Sequence, residues 1–525
     1  MSTTSHTPST APADTDARPS ARATGRIGVF GIGLEAYWDQ FEGLEDRCRG
    51  YQADVERQVA ALGGAVVSAG LVDTPQKARV AGDLFAREQV DLILCHVVTY
   101  ATSATVLAAV QAAKVPVVLL GLQPTRTLDY EHVDTGEWLA NCAACSVPEI
   151  AGAFTRSGIP YDTVAGTIQD DERAWSRIGA WVRAAGVARS LKRARIGFMG
   201  HAYAGMLDMY SDFTMFHGQV GAHVEVLEID DLQVRTDAAT AEQVAAKTAE
   251  IREHFAFADP SDDPIAGPIT DDQLAWSARV AVGLDALAED FELDALTYYY
   301  RGLDDNPQER LGAGVIVGNS LLTARGIPTA GEADIKTNLA QLILDRLGAG
   351  GSYTEYYGLD MDEDFVLMGH DGPGHIAIAQ EQPVLRSLNV FHGKRGGGLS
   401  VELQVRHGDV TILGCTQTAD GRLKLIAAEG ASIPGPTFRI GNTNSRLRFD
   451  LDPVSFLEAW SAEGPTHHVA LGVGHRIQDI EAVARLLDLE LVVVGRDAAA
   501  RGSRLGASSN DRFVAHRPDV RGGGR

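Results

Sequence analysis

The segment DLILCHVVTYATSATVLAAVQAAKVPVVLLG, residues 91–121, carries the pattern that decides the fold class. Two apolar runs, Asp91–His96 and Pro116–Gly121, flank a helix expected near Ala101–Ala113. Apolar runs of about five residues set between helices are the mark of strands in a parallel sheet covered on both faces. The same alternation extends upstream. Strands are expected at Arg26–Phe30 and Ala65–Ala69, with helices at Leu44–Leu62 and Thr74–Glu88, and a helical region follows Asp134.

The pattern restarts after the basic segment Ser190–Arg195. Strands are expected at Ile196–Met199, Val224–Ile229 and Ala295–Tyr300, with helices near Ala239–Ala256, Asp271–Asp290 and Pro307–Ala324. Beyond Gly348 the texture changes to short alternating runs: Phe365–Met368, His375–Ala379, Gly398–Val405, Val410–Thr416, Leu423–Ala428 and Thr437–Ile440. Turn residues separate them, including Pro434-Gly-Pro436 and Gly441-Asn-Thr-Asn444, as in an antiparallel sandwich or barrel. Helices near Pro453–Ala462 and Gln478–Leu487 and a strand at Leu489–Val494 close the chain's ordered part. The expected organisation is an α/β protein with two doubly wound domains (26–190 and 191–348) and a β-rich C-terminal domain (349–495). The polar ends, 1–25 and 496–525, read as disordered and mobile tails.

A chain of 525 residues is too long for one ordinary core. Seventy acidic against 46 basic residues give a net charge of −24. That excess argues against nucleic acid or an anionic membrane as partner. No apolar run reaches the roughly 18 to 20 residues that span a bilayer, and the first 25 residues lack the apolar block of a secretory signal. Five cysteines, few and odd in number, fit a reducing cytoplasm better than a disulfide framework. Cys142-Ala-Ala-Cys145 stands alone, with no second pair to complete a zinc site, and reads as packing within a helical region.

Gly31-Ile-Gly33-Leu-Glu-Ala36 follows the first strand and fits a dinucleotide fingerprint in outline. Its continuation, Tyr37-Trp-Asp-Gln-Phe-Glu-Gly43, is aromatic, and no acidic residue closes a second strand about 20 residues on. A loop facing a sugar or an interface is the better reading. No nucleophile elbow or Walker A loop is present, and Gly396-Gly-Gly398 reads as a turn before a strand.

The chemistry-bearing residues gather between Gly331 and His375, with a histidine pair downstream. Glu332 follows Gly331 at a strand-to-helix junction, where ligands of open α/β sheets collect; a plain helix N-terminus would favour the same charge. Glu355 lies in the Gly-rich, aromatic stretch Gly348–Gly358, and Asp360, Asp362, Glu363 and Asp364 beside it read as a solvated acidic turn. His370 ends an apolar strand, with His375 as its rival. His467 and His468 open another strand, where neighbours face opposite ways, so one of the two is expected to face a site. Two carboxylates with one or two imidazoles form a ligand set suited to Mn²⁺, Co²⁺ or Zn²⁺, and paired carboxylates can move a proton between adjacent carbons. These residues point to metal-assisted proton transfer on a small polyol or sugar.

Four short motifs, in order, resemble those of the L-arabinose/L-fucose isomerase superfamily, most closely its L-arabinose isomerase branch. Gly331-Glu332-Ala-Asp-Ile-Lys336-Thr337 is similar to E-G-D-W-K-T, and Ser352-Tyr-Thr-Glu355-Tyr-Tyr357 to S-F-M-E-D-Y. Leu367-Met-Gly-His370 is similar to L-G-S-H, and Thr466-His467-His468-Val469 to A-H-H-T. The resemblance covers about residues 26 to 495 and implies two Rossmann-like domains followed by a β-rich, barrel-like one. It implies metal ligands Glu332, Glu355, His370 and His468, catalytic Glu332 and Glu355, and a substrate-orienting His467. The implied activity is aldose–ketose isomerisation through a cis-enediolate, with Mn²⁺ or another divalent cation such as Co²⁺ or Mg²⁺, in a cytoplasmic homo-oligomer (a trimer or hexamer). A sugar epimerase, or a non-catalytic sugar sensor, is the alternative. The segments Tyr353–Tyr357 and His370–His375 depart from the arabinose pattern, and are where a different sugar would be accommodated.

Overall fold

The computed structural model describes residues 24–261, 267–300, 306–391 and 394–495. The segments read as tails lie outside the described residues, apart from Thr24 and Gly25. So do His392 and most of the loop Pro260–Pro268.

The first sheet is parallel and contains β1 (Arg26–Ile32), β2 (Ala65–Val72), β3 (Leu92–Val97), β4 (Val117–Gln123) and β5 (Tyr161–Thr167), in the order β2-β1-β3-β4-β5. Every residue of β3 is buried, as the apolar run predicts for a strand covered on both sides. Gly31 and Ile32 continue β1, and only a short 3-10 turn, Glu35–Tyr37, follows before the helix Leu44–Ala61. No helix N-terminus therefore stands directly over the glycines, which removes the geometry a pyrophosphate needs.

A second parallel sheet holds β6 (Arg195–Gly200), β7 (His223–Leu227), β9 (Ala295–Tyr299) and the two-residue β10 (Thr329–Ala330), ordered β10-β9-β6-β7. The short strand β8 (Ala256–Phe257) lies in neither parallel sheet. The helix expected over Pro307–Ala324 is two, Pro307–Ala313 and Val315–Ala324, broken at Gly314. A Cβ at Gly314 would lie 2.8 Å from Val280 Cγ2 and 3.0 Å from Trp276 Nε1, so the close approach of helix Asp271–Asp290 excludes a side chain there.

The C-terminal part is a closed antiparallel barrel of six strands. They are β11 (Gly350–Asp360), β12 (Phe365–His370), β15 (Gly408–Gln417), β16 (Leu423–Ile433), β17 (Thr443–Phe449) and β18 (His468–Val473). The order β15-β18-β11-β12-β17-β16 closes through β15–β16 pairing, and β19 (Glu490–Val493) adds parallel to β16. Strands β13 (Val384–Phe391) and β14 (Lys394–Glu402) form a hairpin that takes up β8 to make a separate three-stranded sheet. Three local expectations are corrected. His375–Ala379 contains a 3-10 turn, Ile376–Ile378, instead of a strand; Thr437–Ile440 is irregular, with the strand β17 beginning only at Thr443; and Gly396–Gly398 lies inside β14. No helix among the described residues is long and apolar enough to cross a membrane.

Helix Ile335–Arg346 joins the second sheet to the barrel, and nearly all of it is buried. Its polar residues make the joint specific. Asn338 Nδ2 donates to Pro328 O (3.0 Å), while Gln341 Nε2 donates to Thr329 O (3.1 Å) and Gly351 O (3.0 Å). One amide thus satisfies carbonyls at both ends of the junction, which buried backbone groups require. This helix fixes how the carboxyl ends of β9 and β10 meet the barrel.

Candidate active site and metal centre

The second sheet reverses strand order between β6 and β9, and ligands of open α/β sheets occupy the crevice outside the strand ends at such a point. Glu332 emerges there, two residues beyond β10. Glu332 and Ala333 both have φ of +60°, a left-handed conformation that residues with a Cβ adopt only at a cost of about 1–2 kcal/mol each. Ala333 N–H donates to Tyr298 O (2.9 Å) and Tyr203 N–H to Glu332 O (3.3 Å), so the neighbouring strand ends hold this turn. The Glu332 side chain is one-fifth exposed, and its Oε2 is buried without a hydrogen-bond donor.

The remaining residues come from three adjacent barrel strands. Glu355 on β11 lies directly across from His468 on β18 and from Gly369 on β12, the residue before His370. Sheet register therefore sets Glu355 beside His468, and His370, the last residue of β12, completes the group. One ligand atom from each lies within 4.8 Å of the others, and Glu332, His467 and His468 form a second group on the same criterion. His468 is common to both groups, and its Nε2 is 3.7 Å from Glu332 Oε2. His375, the rival to His370, belongs to neither. It is buried away from them, with a pKa lowered to about 4 by loss of solvation.

His468 is fully buried, and its orientation is set from behind. Its Nδ1 is 3.1 Å from Asp334 Oδ2 and 2.7 Å from Tyr353 Oη. Asp334 is the N-cap of helix Ile335–Arg346, where it accepts from Lys336 N–H (3.1 Å), Thr337 N–H (3.0 Å) and Thr337 Oγ1 (2.7 Å). Burial alone would raise the Asp334 carboxyl; the hydrogen bond and charge of His468, helped by the Thr337 N–H, more than offset it and hold it below the usual range. Tyr353 Oη can donate to Gly331 O (3.2 Å), so His468 Nδ1–H is the donor toward Asp334 and Tyr353. The lone pair is then at Nε2, which faces His370 Nε2 at 3.2 Å. Two imidazole lone pairs cannot face each other at that distance unless a proton or a cation lies between them. With the donorless Glu332 Oε2 beside them, these residues fit a divalent cation, by the chemistry of the donor set and by the carboxylate–histidine arrangement that typically supports it.

No protein-family model matches the chain. It is 24% identical to an L-arabinose isomerase of Nocardioides sp. over 442 residues, which are 82% of this chain and 86% of the relative. An L-arabinose isomerase of Clavibacter sepedonicus is 21% identical, with 82% and 85% covered, and a sulfoquinovose isomerase of Alkalicoccus urumqiensis is 22% identical, with 77% and 86% covered. The chain is similar to L-arabinose isomerases along most of its length.

Both histidines of the downstream pair approach the site, where strand alternation predicts one. His467 precedes β18, so the rule of alternate faces does not reach it, and its ring packs on His468 with centroids 3.8 Å apart. His201 is exposed, its ring edge-on to Tyr299 at 5.1 Å. Asp362–Asp364 form an exposed turn capped by Asp360, as read from sequence. Three residues escaped the sequence reading: Asp334, Tyr353 and Asp208, which accepts from His467. The first two carried a signal of local structure only. Asp334 opens a helix with Thr337 three residues on, and Tyr353 stands two before Glu355, on the same strand face.

Proposed function

We propose that this protein interconverts an aldose and its ketose, with Glu332 and Glu355 passing a proton between C1 and C2 and with Glu332, Glu355, His370 and His468 holding Mn²⁺ or a similar divalent cation. The observation that carries the reading is the backing of His468. Asp334 and Tyr353 fix its Nδ1–H, leaving Nε2 beside His370 Nε2 and the donorless Glu332 Oε2. A bound divalent cation supplies charge stabilisation at the substrate's adjacent oxygens.

The carboxylates account for the rest. One removes the proton from C2 of the aldose to give an enediolate, the hydroxyl proton passes from O2 to O1, and the other donates a proton to C1, giving the ketose. Glu332 stands on a turn held by two strand ends and Glu355 on a central barrel strand, so both acids come from rigid supports that fix their separation. The substrate is a small sugar; which one, and the assembly as a homo-oligomer, belong to the same proposal.

The test is an aldose panel with Mn²⁺ scored for ketose formation, run on wild type, Glu332→Gln and Glu355→Gln. Turnover in wild type and its loss in both variants supports the reading. Isomerisation surviving both substitutions, in protein that still binds Mn²⁺, would sink the two-glutamate mechanism. Light scattering on the same preparation reports whether a trimer or hexamer forms.

A further inference from the structure

Resting on the isomerase reading above, we infer that Asp208 is a positioning residue, which holds His467 in the tautomer whose Nε2 lone pair is presented to a substrate hydroxyl. Asp208 lies in a 3-10 turn, Leu207–Met209, in the loop after β6, 259 residues from its partner in sequence. One oxygen, Oδ2, meets both His467 N (3.0 Å) and His467 Nδ1 (2.6 Å). A backbone N–H can only donate and an ionised carboxylate can only accept, so the proton on the ring is at Nδ1. The Asp208 carboxyl is ionised below the usual range: burial would raise it, and the two hydrogen bonds from His467 more than offset that. Nε2 is then the only ring nitrogen with a lone pair to offer.

That lone pair belongs to a ring packed on His468, in the group that includes Glu332. An acceptor there suits a hydroxyl of the sugar beside the carbons that exchange protons. The loop carrying Asp208 is itself tied down. Lys336, 1% exposed, sends Nζ to Tyr210 O (2.9 Å) and Ser211 Oγ (3.0 Å). The start of helix Ile335–Arg346 therefore governs both histidines, His468 directly through its N-cap Asp334 and His467 at one remove, through Lys336 and the loop that bears Asp208.

Selective ¹⁵N-histidine labelling of the metal-free protein reads the tautomer without any turnover, with His467→Gln to assign the signal. His467 should show Nδ1–H in wild type and lose that preference in Asp208→Ala. In the Mn²⁺-loaded enzyme, Asp208→Ala should lower kcat/KM by about 10- to 100-fold, chiefly through KM, as expected for removal of a hydrogen bond to a charged partner. Mn²⁺ affinity and melting temperature should stay at wild-type values. Asp208→Asn, whose amide oxygen can take the place of Oδ2, should recover most of the loss. An Nε2–H tautomer in wild type, or unchanged kcat/KM in Asp208→Ala, overturns the inference. So does a loss of activity that runs in parallel with losses of Mn²⁺ affinity and melting temperature, the mark of a merely structural role. If wild type converts no aldose, it is the isomerase reading that fails, and the tautomer spectrum still decides whether Asp208 sets His467.

Discussion

Replacing Asp334 by Asn should weaken divalent-cation binding while leaving the fold in place. Two acceptor functions separate on the Asp334 carboxylate. Oδ1 takes the N–H groups of Lys336 and Thr337, and Oδ2 takes Thr337 Oγ1 and His468 Nδ1. An asparagine keeps its amide oxygen on the two backbone N–H groups, because nothing else can satisfy them, and so remains a good helix cap. Its NH₂ must then stand where Oδ2 was, against Nδ1–H of His468. The imidazole can meet that donor only by moving its proton to Nε2, the nitrogen proposed as ligand. A hydrogen bond to a charged group contributes about 1.5–3 kcal/mol, and each 1.4 kcal/mol is about tenfold in affinity. The Mn²⁺ dissociation constant should rise about 10- to 100-fold, the range typical of lost carboxylate support behind a ligating histidine. Titration calorimetry on metal-free protein gives that constant, and a thermal melt without metal checks the fold. Unchanged Mn²⁺ affinity in a folded Asp334→Asn protein would refute the tautomer argument.

Three further outcomes are expected. Tyr353→Phe removes the hydroxyl between His468 and Gly331 O but keeps the ring that packs 4.5 Å from both His370 and His468; Mn²⁺ affinity should fall by about 1 kcal/mol, roughly fivefold, and an effect as large as that of Asp334→Asn would contradict the ordering. His96 is buried, and loss of solvation lowers its pKa to about 4. Above about pH 6.5 it is neutral in both folded and unfolded chains; as pH falls from there toward 4 only the unfolded chain takes the proton, so stability drops, by about 2 kcal/mol at pH 5. Urea midpoints at pH 8 and pH 5 should show this, and a His96→Asn protein with the same pH dependence would rule it out. The cleft of about 230 Å³ beside Glu332 and His370 has Met199, Met206, Ile229, Val315 and Ile316 in its wall, and its other charged lining residues among those described are the acids Glu309 and Asp371. A 6-deoxy aldose should therefore exceed its parent hexose in kcat/KM by on the order of tenfold, and sulfoquinovose should be the poorest substrate; equal rates across the matched pairs would count against the apolar wall as a selector.

The α/β part of the fold was legible because its central strands are buried on both faces and most of its helices are long. Asp271–Asp290 is found as read, with Thr270 as its cap and Gln273 completing a capping box. The barrel was harder. Its central strand β11 shows no alternating apolar run, because it begins Gly350-Gly351, at φ of +79° and +137°. A Cβ at Gly351 would come within 2.9 Å of Gln341 O, so glycine there marks the strand's close approach to helix Ile335–Arg346 and not a break in the strand. β17 was missed for a related reason. It opens Thr443-Asn-Ser, and these side chains are buried by bonding to backbone: Asn444 to Phe438 and Asn442, Thr443 to His370 O, and Ser445 to Val405 N. A strand whose inward face is polar carries no hydrophobic alternation to detect.

The same distinction separates the site residues that could be read from those that could not. Glu332, His370, His467 and His468 stand at strand ends and turns, places where sequence punctuation is visible, while Glu355 lies in mid-strand, five residues after the glycine that opens β11. The residues that orient them lie inside elements and look ordinary there: an N-cap aspartate, a strand tyrosine and a helix lysine. Asp334 is indistinguishable in sequence from any capping acid, and only its second oxygen, turned toward His468, gives it another role. Lys336 would pass for a surface residue on a helix until its burial and its two acceptors are seen. The arrangement of the proposed metal ligands is therefore a product of register and helix docking. Glu355 meets His468 because β11 pairs with β18, and His468 presents Nε2 because helix Ile335–Arg346 is held by Asn338 and Gln341 at a fixed place against both sheets. Loosening that joint, with every proposed ligand intact, should be enough to scatter the site.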